Sequence, residues 1–573
     1  MTEPGRHPAR GGPAASARGA PALAATLDDF FAWYYATYPV NATFIGVHDH
    51  DHRLPDLSDA AAADTVRAIE TLRARFRSLP PEPLSEAEAL DCRLAEGFLD
   101  VQRWEYGSHH FHLGNPCVYT GEAVFGVLAL FLRPFAPLRD RVEAAVMRMF
   151  AIPGLLAQAA STVRQAPRAW TERAIRECDG ALAFFERGTE ILAREEGITH
   201  PRFRDAAASA AQAFRRLQGY LRDELLAHAT DGYACGPDAL ELLLRRGHCL
   251  DMTAADVAAL GEEHLALWEA RLREGAAALG YASWHEALAA LADRHPPVER
   301  YYERYAEVWH AVREDAERHE LVTWPDYPIR YVPQPRWARE AAPSLYFLFY
   351  RAPAAFDRIP VVDYLVTPIE PDMPPEEQTR RLRATNDSVI TLNHVIHHGA
   401  LGHHVQNWYA YHRAESRIGQ IAAVDCASRI AMFCGGTMAE GWACYATDLM
   451  EEIGFLDPLQ QLAQAHSRLR MAARAVVDVR LHRGEWTLER AADTYRDRAG
   501  MSPDAARAEA VKNSMFPGAA LMYLIGTRLI HELRRDLARQ PGFVLRNFHD
   551  RLLSYGSIPV ALIADAMRGR FGD

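Results

Sequence analysis

The sequence predicts a mostly α-helical protein with a small β element. Apolar residues recur at helical spacing over most of the chain, only two short segments have the β-branched and aromatic content of strands, and no internal repeat appears. Of the 573 residues, 1–24 are rich in Pro, Gly, Ala and Arg and are expected to form a disordered tail. Residues 25–573 are expected to form a single helical unit. It has a variable N-terminal half (about 25–380) and a chemically loaded C-terminal part (about 381–573).

The elements follow in order. "TLDDFFAWYYATYP" reads as a helix capped by Thr26 with an aromatic packing face. "DAAASAAQAFRRLQGYLRDELLAHA" reads as one long helix. The next helix starts at Thr253, with Asp256 completing a capping box, and stops at Gly280. "RYVPQP" and "VVDYLVTPIEP" are the strand candidates, and as a small sheet or hairpin they could wall a site just downstream. Thr487 caps a further helix that Gly500 ends, and Ser502–Pro503 starts another.

The composition is that of a soluble globular chain: 49% hydrophobic, 24% charged, formal charge -12. An acidic balance argues against nucleic acid as a partner. Lys512 is the only lysine, so arginine carries the positive charge. The eight cysteines form no C-x-x-C pair, and their wide spacing suits reduced thiols in the cytoplasm. The N-terminus lacks the apolar run of a secretory signal. No run of about 18 uncharged apolar residues is visible, so no membrane span is expected. Walker, G-x-G-x-x-G and G-x-S-x-G patterns are absent, which lowers nucleotide, dinucleotide and serine-hydrolase chemistry.

The chemistry concentrates in "HVIHHGALGHHVQ", residues 394–406, with five histidines in thirteen positions. Neutral imidazoles bind zinc, iron, nickel and copper. In a regular helix His394 and His398 share a face, as do His397 and His404, whereas His397 and His403 diverge. Gly399 and Gly402 would permit a break or bulge, so spacing leaves the ligand pair open. The alternative is a histidine-rich surface helix. Glu440, in the apolar "MAEGWACYATDLMEE", is the best third ligand, because an unpaired carboxylate there would be costly to bury. A second cluster, "SHHFH" at 108–112, reads as structural.

With these stretches in view, the chain resembles the bacterial domain-of-unknown-function 885 family, placed among zincin-like metallopeptidases. The family pattern is H-E-A-x-P-G-H-H-x-Q, then E-G-W-A-x-Y-A-E, then V-V-D-x-x-L-H-x-x-x-W-T, then Y-x-I-G. The matching stretches are "HHGALGHHVQ" (397–406), "EGWACYAT" (440–447), "VVDVRLHRGEWT" (476–487) and "YLIG" (523–526), with "FHDRLLSYGSIPVALI" (548–563) closing the match. Order and spacing agree over roughly residues 250 to 573.

The resemblance implies a zincin-like helical fold with a long central channel. It implies one divalent metal, zinc first and iron or manganese as alternatives, held by His397, His403 and Glu440. His404 and Gln406 would lie beside the metal, and Tyr523 would stabilise an oxyanion. The family's glutamate after the first histidine is His398 here. Leu401 replaces its proline, Thr447 its last glutamate, and Val479 and Arg480 stand where small residues are usual. In zincins that first glutamate is the general base, worth about 10²–10⁴-fold.

Three readings follow. His398 can serve as the base of a metal-dependent hydrolase acting on a small amide or amino-acid derivative. It can be an added ligand in a non-hydrolytic iron or manganese enzyme with redox or lyase chemistry. Or catalysis is lost and the protein only binds. Catalytic candidates are therefore His398, His404 and Tyr523. Asp478 and His482, four apart, could pair to orient a ligand or substrate, and Arg528 could grip a substrate carboxylate. Arg474 is expected to pair with Asp478. Trp442 and Tyr445 are expected to pack the Glu440 helix, and Cys434 and Cys444 flank Glu440 as small hydrophobes. The expected partner is a small molecule, with neither nucleic acid nor membrane, and a homodimer is the base-rate assembly.

Overall fold

The computed structural model describes residues 21–80, 83–344, 354–357, 359–422 and 435–570. Its regular structure is helical apart from two short strands, β1 (Ile329–Pro333) and β2 (Val362–Val366), which pair in parallel with Tyr331 opposite Tyr364. A parallel pair cannot be a hairpin, so the sheet option of the sequence reading is the one realised. Both strands precede the histidine cluster in sequence and put tyrosines against it. The Tyr364 ring lies 5.7 Å from that of His394 and 6.1 Å from that of His398.

Local signals placed most helix ends. Thr253 and Asp256 form the capping box of Ala254–Ala278, which closes before Gly280 at φ 83°. Thr487 caps Leu488–Asp497, and Ser502 caps Pro503–Met515. Thr26 is a correction: the first described helix runs Pro21–Thr37, and Thr26 lies inside it, its hydroxyl donating to the Ala22 carbonyl. An interior threonine satisfies itself by bonding back one turn instead of capping.

One large apolar core runs from Leu23 to Met567, with a smaller cluster around Leu240, Val257, Leu521 and Ile525. The helix Leu138–Thr162 is long and apolar enough by composition to cross a membrane. It is nevertheless packed against Cys117–Leu128 and Phe203–Asp223. It also carries Arg148, fully buried and donating to the carbonyls of Gly126, Pro39 and Arg53 and to the Thr43 hydroxyl. That is the behaviour of a core helix.

Two contacts position the C-terminal helices. Ala254–Ala278 lies along the long helix Pro458–His482. The glutamate helix, Gly436–Glu452, crosses the tyrosine helix, Met522–Leu537, at Gly441 and Gly526. A Cβ on Gly526 would collide with the Thr437 carbonyl, so the two backbones touch there. This contact brings Glu440 and Tyr523 to one region.

The N-terminal part is tied to residues 354–357 by an ionic clamp. His48 bridges Asp51 (2.8 Å) and Asp357 (2.7 Å) while its ring stacks on Phe135 at 4.0 Å. Burial alone would lower the His48 pKa, but hydrogen bonds to Asp357 and Asp51 outweigh it and raise it to about 9. A raised histidine pKa stabilises fully below the unfolded value, about 6.5, and that contribution is lost as pH rises through about 9. After allowance for its partial exposure, the clamp contributes about 1–2 kcal/mol. Thermal unfolding across this window should show the loss in the wild type, and His48→Gln should flatten it.

Candidate metal centre

The segment around the histidines is not a regular helix. Val389–Gly399 is π-helical, and its start is held by Asn386, whose side-chain oxygen accepts from the amides of Ser388 and Val389. The backbone then leaves helical geometry, with ψ near -114° at Ala400 and -121° at Gly402, and a new helix begins at His403 (His403–Arg413). The carbonyls stranded in this break find donors. The Trp309 indole donates to Gly399 (2.9 Å) and the Trp442 indole to Leu401 (2.8 Å). The Gly402 amide donates to Ile396 (2.9 Å). A Cβ on Gly402 would strike the His397 carbonyl, so only glycine fits the turn.

The break brings together residues that a straight helix would separate. His397 Nε2 lies 3.1 Å and His403 Nε2 3.6 Å from the same oxygen of Glu440. The two imidazoles stand at 88° with centroids 4.9 Å apart. Ring nitrogens of His397, His398 and His403 all fall within 4.8 Å of one another. His403 Nδ1 faces Gln406 (3.3 Å), and His398 Nδ1 donates to the Asn393 carbonyl (2.6 Å). The second contact leaves Nε2 as the basic nitrogen of His398. The side chains of His397, His403 and Glu440 keep 11%, 12% and 16% exposure.

Burial holds His397 below the ordinary histidine value and His398 well below it. Burial would raise Glu440, but hydrogen bonds from His397 and His403 hold it well below the usual carboxylate range. The neutral imidazoles of His397 and His398 thus stand by one ionised carboxylate, the protonation states in which these side chains bind a metal.

Tyr523 joins this group. Its hydroxyl pKa is pushed well above the ordinary value by burial and by the charge of Glu440, so it is a neutral phenol, a donor. The guanidinium of Arg474 lies 4.7 Å from its ring centroid, and Glu509 fixes Arg474 at 2.6 Å. Arg474 thus pairs with Glu509 and not with Asp478.

Other expected residues lie elsewhere. His404 is fully buried; its Nε2 donates to the Tyr327 carbonyl (2.6 Å), its ring stacks on Tyr327, and its Nδ1 is buried without a hydrogen-bond partner. Its hydrogen bond and ring stacking are with Tyr327, and it is not among the clustered ligand atoms. Asp478 and His482 are both fully buried and 3.7 Å apart, too far for a hydrogen bond. Asp478 accepts from the amides of Gly518 and Leu521, holding the turn that launches the tyrosine helix, and His482 donates to the Asn513 carbonyl. Neither can touch a substrate. Arg528 is paired with Glu532 (2.6 Å) and 37% exposed, away from the cluster.

Trp442 and Tyr445 are buried in the glutamate helix as expected. Tyr445 bonds His549 (2.9 Å). Thr447 bonds back to the Cys444 carbonyl, and the neighbouring Asp448 pairs with Arg468 and His531. Cys444 is buried and free, whereas Cys426 and Cys434 lie outside the described residues. In the 108–112 stretch, His110 bonds the Tyr233 carbonyl and His112 is buried in packing. Sequence reasoning missed Trp309 and the indole bond of Trp442. A tryptophan two positions after the candidate ligand was the available signal.

The break should therefore be sensitive to its donors. Trp442→Phe keeps the apolar volume but leaves the Leu401 carbonyl unsatisfied, at about 1–3 kcal/mol. Gly402→Ala should cost more, because backbone and not a mobile side chain must move. Thermal or denaturant unfolding of the two variants checks both the size and the order.

Comparison with known proteins accords with this architecture. No curated protein matches the sequence. Among solved structures, a "putative lipoprotein of unknown function from Shewanella oneidensis" superposes with TM-score 0.76 at 20% identity, covering 97% of this chain and 100% of the other. A "putative lipoprotein from Colwellia psychrerythraea" superposes with TM-score 0.74 at 17% identity, over 96% and 98%. At such identities these matches establish the shared fold. The family model described as "Bacterial protein of unknown function (DUF885)" matches residues 39–567, and the chain belongs to that family.

Proposed function

We propose that the protein is a metal-dependent hydrolase of zincin-like fold acting on a small amide or amino-acid-derived substrate. One observation carries this reading: His397 Nε2 and His403 Nε2 converge on a single Glu440 oxygen at 3.1 and 3.6 Å. Two ligands each about 2.1 Å from a tetrahedral zinc would stand about 3.4 Å apart, so the three donors fit one ion. His403 has the outer hydrogen bond, to Gln406, that orients a ligating imidazole. A divalent ion at this place supplies a Lewis acid and lowers the pKa of water.

The chain's own groups supply the rest. His398, anchored through Nδ1 to Asn393, presents Nε2 as the proton acceptor in the place of the missing glutamate. Tyr523 donates a hydrogen bond to the oxygen on which negative charge develops. The partial exposure of His397, His403 and Glu440 leaves the donors reachable, as the channel of the zincin-like reading requires. The free cysteines of the described residues suit a reducing compartment, and a cytoplasmic location is part of this proposal. The lipoprotein wording of the two solved neighbours describes those proteins.

The nearness of all three histidine nitrogens, within 4.8 Å, supports a second reading, with His398 as a further ligand and iron or manganese in place of zinc. Metal analysis of protein purified without added metal separates the readings. Stoichiometric zinc supports hydrolysis, iron or manganese the alternative, and no uptake on titration a binding protein. His397→Ala and Glu440→Gln should each weaken metal binding by more than about 10²-fold, since an outer-shell loss alone costs 10–100-fold. His398→Glu should keep the metal and preserve or raise amide hydrolysis. Loss of metal in that variant would make His398 a ligand and end the general-base assignment.

A further inference from the structure

Several arginines set into this protein are neutralised. Arg468 pairs with Asp448, Arg474 with Glu509 and Arg133 with Asp357, while Arg148 is wrapped by carbonyls. Arg470 is the exception. Its Nε is buried with no acceptor, and among the described residues its guanidinium makes no hydrogen bond or ion pair. Arginine stays charged under any such burial. Arg470 is only half-buried, so its terminal nitrogens stay open to a ligand, and a ligand would supply the counter-charge that no described residue gives it.

Its position says which ligand. Arg470 lies on the long helix one turn before Arg474, so both extend from one face. Arg474, Glu509, Tyr495 and Tyr523 lie close enough to act on its charge, and the Arg474 guanidinium itself sits 4.7 Å from the Tyr523 ring centroid. The carboxylate among them, Glu509, is already held by Arg474. Tyr523 in turn lies on the helix that touches the Glu440 helix where Gly526 meets Gly441. A line therefore runs from the metal ligands through the Tyr523 phenol to an unneutralised fork of N–H donors.

We propose that Arg470 binds the carboxylate of a small substrate whose scissile group lies at the metal centre, with Tyr523 between the two. This rests on the hydrolase reading above and narrows it to carboxylate-bearing amides, such as N-acyl amino acids. The assignment replaces Arg528, which Glu532 occupies on the exposed side of the tyrosine helix. A planar carboxylate matches a guanidinium fork through two parallel hydrogen bonds, which a neutral amide cannot.

Calorimetric titration of the full chain, after chelation and again after zinc loading, tests this. The probes are acetate, benzoate and N-acetylglycine, with N-acetylglycinamide as the neutral comparison and inorganic phosphate as a second oxyanion. The wild type should prefer carboxylates over the amide in both metal states. Arg470→Gln should weaken carboxylate binding by about 10²-fold and retain zinc. Arg470→Lys should recover part of it, because charge remains without the fork. Should Arg470→Gln fail to fold by circular dichroism, the lysine variant and the carboxylate-to-amide ratio of the wild type decide.

Equal binding of carboxylate and amide, carboxylate binding unchanged in Arg470→Gln, no binding by any carboxylate, or tighter binding of phosphate each overturns the inference. The metal reading fails separately: zinc uptake without a carboxylate preference sinks only Arg470's role. Carboxylate preference without zinc uptake sinks only the hydrolase.

Discussion

The arrangement at the histidine cluster depends on a helix that is broken and then held open. In a regular helix, residues six apart lie about 9 Å apart along the axis and about 120° around it. His397 and His403 nevertheless stand with ring centroids 4.9 Å apart. Breaking a helix strands carbonyls, and buried carbonyls need donors. Two indoles supply them, Trp309 to Gly399 and Trp442 to Leu401. Trp442 sits two residues after Glu440 on the same helix, so the group that stabilises the break and the acid that faces it move as one body. The glycine crossing at Gly441 and Gly526 then fixes that body against the helix bearing Tyr523.

Charge is handled by the same elements. The glutamate helix carries Glu440 and Asp448, and the long helix answers with Arg468, Arg470 and Arg474. Asp448 takes Arg468, and Glu509 takes Arg474. Asp478 takes no cation at all; it holds the backbone amides of Gly518 and Leu521. The carboxylates that could have balanced Arg470 are thus engaged elsewhere. Glu440 is held by imidazoles, whose neutral state leaves it as the one strong acceptor in the cluster.

Much of this was legible along the chain, and the reason is locality. The capping box at Thr253, the cap at Ser502, the stop at Gly280 and the strand content of 329–333 and 362–366 are properties of a few adjacent residues. The convergence of His397, His403 and Glu440 came from the family likeness, since helical spacing left the pair open. What failed was pairing across elements. Arg474 and Asp478 share a helix face, yet each found a partner on another helix or turn, because long-range packing decides which of several oppositely charged neighbours is nearest. His404 fails for a related reason. A helix restarted after a break no longer continues the periodicity of the one before it, so adjacency to His403 in sequence does not place it on the same side.

A histidine at 398 suits its neighbourhood. In a π-helix the amide of residue i+5 addresses the carbonyl of residue i, so Asn393 is already the acceptor for His398's own backbone. That carbonyl has a second lone pair, and the His398 ring donates to it at 2.6 Å. An ionised glutamate has no proton to give and would meet the carbonyl oxygen with like charge. Imidazole is the common side chain that can donate from one ring atom and accept at the other. It therefore closes the π-helical turn on one side while keeping its other ring nitrogen beside those of His397 and His403, so anchoring and the proposed proton acceptance are joined in one ring.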